Sequence, residues 1–291
     1  MFININGKFY TKDKAKVSVL DRGFLYGDGV FETMRVYNGH IFALNEHLKR
    51  LRNSAKTILL VISRSDEEIK TELFRTLEKN KLKNAILRIS FSRGISDRKI
   101  NVGNCIKPSM IIIALKFHPY PESFYKDGVN VIISKKIIRY SGSFQSGIKS
   151  SNYLPNILLK SEAFESGAFD ALTLNENGYI LEGSVSNFFI VKNRVLITAP
   201  LKAGILPGIT RKIVLKLAKK SGIKVEEKMF KTPLIYKADE AFLTNTSIEV
   251  LPVKIVNGKI INIGKTGEIT LQLFDKFKDM IKEQSYEKFN K

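Results

Sequence analysis

The chain has 291 residues, 44% hydrophobic and 26% charged, a balance that suits a globular protein of one or two cores rather than a disordered one. Its one cysteine, Cys105, excludes an internal disulfide framework, and no apolar run nears the roughly 20 residues that span a bilayer. The net charge of +20 is carried by scattered lysines such as Lys12, Lys70, Lys116, Lys219 and Lys278, without tryptophan or an aromatic–basic motif. It reads as a solvated basic surface that steers acidic ligands, with no nucleic acid and no membrane as partner. The first ten residues lack a cationic start followed by an apolar stretch, so a cytoplasmic protein is expected.

Residues 2–10 alternate apolar and polar around Asn6-Gly7, and residues 30–37 and 40–44 flank Asn38-Gly39, so two hairpins are expected. Asn45 then caps a helix with Leu48, Leu51, Ala55 and Ile58 on one stripe, followed by a second amphipathic helix over 66–79. Residues 85–92 and 109–117 read as strands, the latter nearly all apolar and hence buried. The pattern is α+β rather than alternating βαβ units. It gives a small N-terminal domain over 1–117, a linker over 118–126 around Pro119 and Pro121, and a larger domain over 127–291. In that second domain the sequence predicts strands at 129–134, 171–174, 180–181, 186–191 and 240–244, with helices over 154–166, 210–220 and 269–282.

Several chemistries are disfavoured by absent motifs. Three histidines and one cysteine give no metal-ligand spacing, and neither a dinucleotide fingerprint nor a P-loop occurs. Gly183-Ser184-Val185-Ser186 lacks the closing glycine of a nucleophile elbow.

The run from Asp21 to Glu32 holds three glycines in seven positions, at 23, 27 and 29. On composition it is a turn-rich loop. It also resembles the class IV aminotransferases, the group of the D-amino-acid and branched-chain aminotransferases and 4-amino-4-deoxychorismate lyase. The resemblance continues in order through His47-Leu48-Lys49-Arg50-Leu51, Lys149-Ser150-Ser151-Asn152-Tyr153-Leu154 and Leu181-Glu182-Gly183-Ser184-Val185-Ser186-Asn187. It ends with Gly208-Ile209-Thr210-Arg211 and the stretch from Leu243 to Val253, and so covers nearly the whole chain. It implies a two-domain fold of the D-amino-acid aminotransferase type, pyridoxal 5'-phosphate (PLP) as cofactor, amino-acid and 2-oxo-acid substrates, a ping-pong reaction and a homodimer.

The roles follow residue by residue. A PLP enzyme needs a lysine amine that holds the cofactor covalently and moves the substrate Cα proton. Nothing in composition chooses among so many lysines; the resemblance selects Lys149, with Tyr153 beside the phenolic oxygen of PLP and Glu182 beside its ring nitrogen. Arg50, in the helix after the second hairpin, is the candidate for a bidentate contact to the cofactor phosphate, although Glu46 four residues earlier offers it an ordinary surface ion pair. Ile209 and Thr210 open a helix, and helix N-termini present free N–H groups to phosphate, so here residue physics and resemblance agree. Thr246 matches the family's phosphate-binding hydroxyl.

The substrate half is mixed. Phe31, Arg35, Arg98 and Ser247 are its candidate residues. Arg98 matches the carboxylate-binding arginine of the D-amino-acid enzymes, but Ile100 stands where their histidine follows, and Phe31 where they tend to carry tyrosine. A transaminase using a D-alanine or D-glutamate type donor, or a branched-chain L-amino acid, is expected first. The lyase, which eliminates pyruvate from aminodeoxychorismate, is the alternative, and a non-enzymatic basic nucleic-acid or membrane-surface binder a distant one.

Overall fold

The computed structural model describes residues 1–96, 100–102, 107–140, 142, 147–261 and 265–286. The chain divides into two compact units: Met1–His118 with Ile148–Tyr153 and the stretch from Gln284 onward, and Pro119–Gly147 with Leu154–Glu283.

In the first unit β1 (Phe2–Ile5) and β2 (Lys8–Thr11) form a hairpin whose Asn6 and Gly7 both have positive φ, 55° and 90°, as a tight primed turn requires. A short helix α1 (Arg22–Tyr26) leads into β3 (Gly29–Tyr37) and the two-residue β4 (His40–Ile41). Helices α2 (Leu44–Thr57) and α3 (Asp66–Lys79) follow, then β5 (Ala85–Ser92) and β6 (Ser109–Lys116). The strands pair antiparallel in the order β2-β1-β6-β5-β3-β4. Leu48, Leu51, Ile69 and Leu73 of the helices pack on Val30, Met34, Leu87, Ile89 and Ile112 of one sheet face.

Two expectations change here. Helix α2 starts at Leu44, entered through Ala43 at φ 51° with no side-chain cap, so Asn45 lies inside the first turn. A missing cap costs about 1 kcal/mol, whereas each fully buried leucine contributes about 1.5–3 kcal/mol, and packing decides the boundary. Strand β6 is not buried throughout: Met110, Ile112 and Ala114 face the core, while Ile111 and Ile113 are half-buried on the opposite face.

The second unit begins with α4 (Glu122–Asp127), a helix inside the expected linker, and β7 (Val129–Arg139). Helix α5 (Leu154–Glu165) precedes β8 (Asp170–Asn175), β9 (Ile180–Gly183), β10 (Asn187–Lys192) and β11 (Val195–Thr198). Then come α6 (Ile209–Lys220), β12 (Lys224–Glu227), α7 (Thr232–Ile235), β13 (Glu240–Asn245), β14 (Glu249–Val256), β15 (Lys259–Ile260) and α8 (Glu268–Tyr286). The sheet runs β12-β11-β10-β13-β14-β7-β8-β9, with β15 on β14, and β9 pairs back onto β10 through Glu182 and Asn187. That last pairing closes a ring of six strands around Leu172, Phe188, Leu243 and Leu251.

Strand β14 is masked in the sequence by Pro252, which lacks a ladder N–H; the strand keeps it beside a register shift between Val253 and Ile255. The segment 148–153 also departs from expectation. It clusters with the first unit instead of the 127–291 domain, because its backbone bonds to the start of β3. Among the described residues no helix is long and apolar enough to cross a membrane.

Candidate active site

In the first unit, residues 149–151 run antiparallel to β3. Phe31 N–H donates to the Lys149 carbonyl (3.0 Å), Ser151 N–H to that of Gly29 (2.9 Å), and Val30 bridges Ser150. Lys149 N–H also donates to Ser54 Oγ of α2 at 3.3 Å, so its backbone is held from two sides. Its Nζ lies 4.5 Å from the Phe31 ring centroid and 5.6 Å from that of Tyr153. The two rings meet edge to face at 5.2 Å. Gly27 makes this approach possible: its φ is 64°, and a Cβ there would lie 2.6 Å from Asn152 Oδ1. The glycine-dense run is therefore a short helix ending in a close backbone crossing, not a plain loop.

Arg88 completes this cluster. Strand register puts Thr33 opposite Arg88 and Arg88 opposite Ile113, so Arg88 shares the non-core face with Phe31, Ile111 and Ile113. Its guanidinium carbon stands 3.6 Å from the Phe31 ring centroid, and Nε donates to Ser90 Oγ at 3.3 Å. Sequence reading missed it. The signal was there: one cation in the otherwise apolar stretch from Ala85 to Ile89.

On the core face of β3, Glu32 is wholly buried and takes Arg50 Nε on Oε1 and Arg50 Nη2 on Oε2, both at 2.7 Å. His47 Nδ1 lies 2.7 Å from the same Oε2, as it does when it donates. Burial alone raises the Glu32 carboxyl, but Arg50 and then His47 outweigh it and hold it at about 2. Burial pushes His47 below its usual 6.5, with Arg50 and Lys149 adding to the effect against the pull of Glu32. The unfolded chain thus binds a proton near 6.5 that the buried ring refuses, so stability is present above 6.5 and falls as the pH drops below it. A second loss follows as the pH falls from 4.5 towards 2, where folded Glu32 stays ionised. Urea unfolding at stepped pH is expected to show both stages, with the second smaller in Glu32→Gln because Asp28 and other carboxylates held low still contribute to it.

In the second unit Glu182 of β9 is buried, and its carboxylate accepts from Arg139 Nη1, Asn187 Nδ2 (2.9 Å) and Leu206 N–H (3.1 Å). The Leu206 carbonyl in turn accepts from Asn187 Nδ2 (3.0 Å) and Gly208 N–H (2.8 Å). The carboxylate and the start of α6 are therefore one hydrogen-bonded frame. Helix α6 begins at Ile209, one residue earlier than its expected cap Thr210. Gly208 is the N-cap and offers no side-chain acceptor to the first N–H groups. A Cβ at Gly208 would lie 2.0 Å from Asn187 Oδ1. Arg211 anchors the helix by donating to the Ala199 carbonyl (2.8 Å) and Glu227 (2.6 Å). Asp170 holds the turn after Glu182 by accepting from Ser184 N–H (3.1 Å) and from the hydroxyls of Ser184 and Ser186 (the latter at 2.7 Å).

Of the residues expected at the site, Phe31, Lys149 and Tyr153 are grouped, and Glu182, Ile209 and Thr210 share the frame above. Thr246 and Ser247 lie in the β13–β14 turn, where Ser247 N–H donates to Asn245 Oδ1 at 2.7 Å. Arg98 lies outside the described residues. The Arg35 guanidinium is buried between the rings of Tyr37 (4.5 Å) and Phe117 (3.5 Å) and donates to the carbonyls of Val36 and Ala85, contacts that suit a cation bracing the sheet. Arg35→Ala is expected to cost about 2 kcal/mol in urea unfolding and to leave substrate KM unchanged.

Comparison with known proteins places the chain in a family. The model for amino-transferase class IV matches residues 29–256. A putative branched-chain-amino-acid aminotransferase of Methanocaldococcus jannaschii is 41% identical over 280 residues, covering 96% of each chain. A D-alanine aminotransferase of Bacillus licheniformis is 34% identical, covering 93% of each. The solved branched-chain amino acid aminotransferase of Escherichia coli superposes with a TM-score of 0.87 at 32% identity, covering 96% of this chain and 93% of that one. The chain belongs to the class IV aminotransferases and is a PLP-dependent transaminase. Each unit holds groups of the kinds PLP needs: in the first, an amine beside two aromatic rings; in the second, a buried carboxylate and an uncapped helix start where only glycine fits.

Proposed function

We propose that this transaminase takes its amino group from a branched-chain L-amino acid. The observation that carries the reading is the β3–β5–β6 face beside Lys149, where Phe31, Ile111 and Ile113 are apolar and Arg88 is the cation among them. Such a face suits an aliphatic side chain and a single carboxylate. The names of the archaeal and E. coli relatives support the same substrate class.

PLP, when bound, supplies the electron sink that receives the electron pair left at the substrate Cα. Lys149 holds the cofactor and then carries the Cα proton. Tyr153 donates to its phenolic oxygen, and Glu182 keeps its ring nitrogen protonated. Arg50, the N–H groups of Ile209 and Thr210, and the Thr246 hydroxyl hold the phosphate, while Ser247 and Arg88 orient the substrate. The exposed apolar side chains of Val19 (69%) and Phe24 (70%) suit burial against a second copy, so a homodimer is expected in light scattering.

The test is a half-reaction panel in which holoenzyme meets L-leucine, L-glutamate or D-alanine and the loss of cofactor absorbance is followed. L-Leucine is expected to react, and Arg88→Ala to raise the KM for L-glutamate about tenfold or more, the worth of a charged hydrogen bond. Reaction with D-alanine alone would reassign the donor. Silence with all three, together with pyruvate release from aminodeoxychorismate, would give the site to the lyase.

A further inference from the structure

Glu32 and His47 take no part in the roles above, yet they are among the most buried ionisable groups of the first unit, 0% and 1% exposed. A carboxylate and a guanidinium removed from water together gain little net stability over apolar residues of similar size. The pair fixes a geometry instead. Glu32 occupies two donors of one edge of Arg50, Nε and Nη2, in a bidentate bond that permits one orientation of the planar group. A second donor, His47 Nδ1, fixes Oε2 of that carboxylate from another direction at 2.7 Å. All three stand on β3 and α2, which the core of Val30, Met34, Leu48 and Leu51 locks together.

We infer that Glu32, steadied by His47, is a positioning residue that aims the Arg50 guanidinium at the phosphate of PLP. This rests on Arg50 being a phosphate ligand. Two opposed effects decide its value. As a counter-charge Glu32 weakens the attraction of Arg50 for phosphate, so neutralising it would tighten PLP binding. As an orienting group it spares the complex the cost of fixing a flexible arginine, so its loss weakens binding. The bidentate geometry favours orientation, since a mere counter-charge needs no double bond and no second donor.

The experiment measures dissociation constants of PLP, and of pyridoxal, which lacks the phosphate, by absorbance titration of wild type, Glu32→Gln, His47→Asn, His47→Phe, Arg50→Ala and Glu32→Gln/Arg50→Ala. Glu32→Gln is expected to weaken PLP about tenfold or more and to leave pyridoxal within about twofold. The double variant should match Arg50→Ala, the signature of residues acting in series. His47→Asn, which retains a donor where Nδ1 stood, should stay near wild type, and His47→Phe should follow Glu32→Gln. Unchanged or tighter PLP binding in Glu32→Gln overturns the inference, as does equal weakening of pyridoxal or multiplication of effects in the double variant. If Glu32→Gln does not fold, the two His47 variants decide alone. No weakening in Arg50→Ala overturns the phosphate reading beneath it, an outcome separate from failure of Glu32→Gln alone.

Discussion

Replacing Lys149 by alanine is expected to abolish covalent attachment of PLP and to slow the half-reaction with L-leucine by about 10³-fold or more. A positioned proton carrier alone is worth about 10²–10⁴ in rate, and Lys149→Ala also removes the amine that binds the cofactor. The rest of the site should survive, because the Lys149 backbone and not its side chain bonds to Phe31 and Ser54. Borohydride reduction followed by peptide mass mapping checks the claim directly. Label on the 149 peptide of wild type, and its absence from the variant, is the expected result. Label on any other lysine would overturn the assignment.

The second large effect is expected at Glu182. An opposite charge within hydrogen-bond distance moves a pKa by about 1–3 units, so Glu182→Gln should lower the protonated fraction of the cofactor ring nitrogen and slow proton removal about 10- to 10³-fold. The amide keeps an acceptor for Asn187 Nδ2 and Leu206 N–H, so the frame at the start of α6 stays intact. Arg139 is left without its carboxylate, yet it is partly exposed and water can solvate it. PLP affinity should therefore change far less than the single-turnover rate, a split that a folding defect does not produce. A rate within threefold of wild type would show that Glu182 does not control the ring.

Much of this layout was legible in the sequence where the signal is local. Asn6-Gly7 and Asn38-Gly39 announced their hairpins because few other residue pairs accept positive φ, and apolar spacing gave the helix over 66–79 its observed limits. The start of α6 was also readable to within one residue, Ile209 against the expected cap Thr210, because its apolar spacing is local. Tertiary choices were not readable. Helical spacing offered Glu46 as the partner of Arg50, but α2 turns Arg50 inward, where Glu32 eighteen residues away takes it. Arg35 and Arg88 look alike as cations in strands. The Tyr37 and Phe117 rings claim the first, and the second lies on the Phe31 ring that Lys149 also approaches. The short strands β11 and β12 carry too few residues for a period to emerge, and α4 begins directly after a proline that suggested a break.

The placement of Ile148–Tyr153 bears on how the polypeptide can be divided. The backbone leaves the first unit after His118, returns for six residues, and leaves again at Leu154. A protease nick at 118/119 therefore does not separate a complete first unit from a complete second one, since the six-residue strap stays on the far fragment. Expressed apart, a 1–118 piece lacks the backbone partner of Phe31 and Gly29. The 119–291 piece carries Lys149 but not the strand that positions it. Neither half is expected to be active alone. Activity from co-expressed halves, absent from either alone, would be the mark of such a threaded architecture.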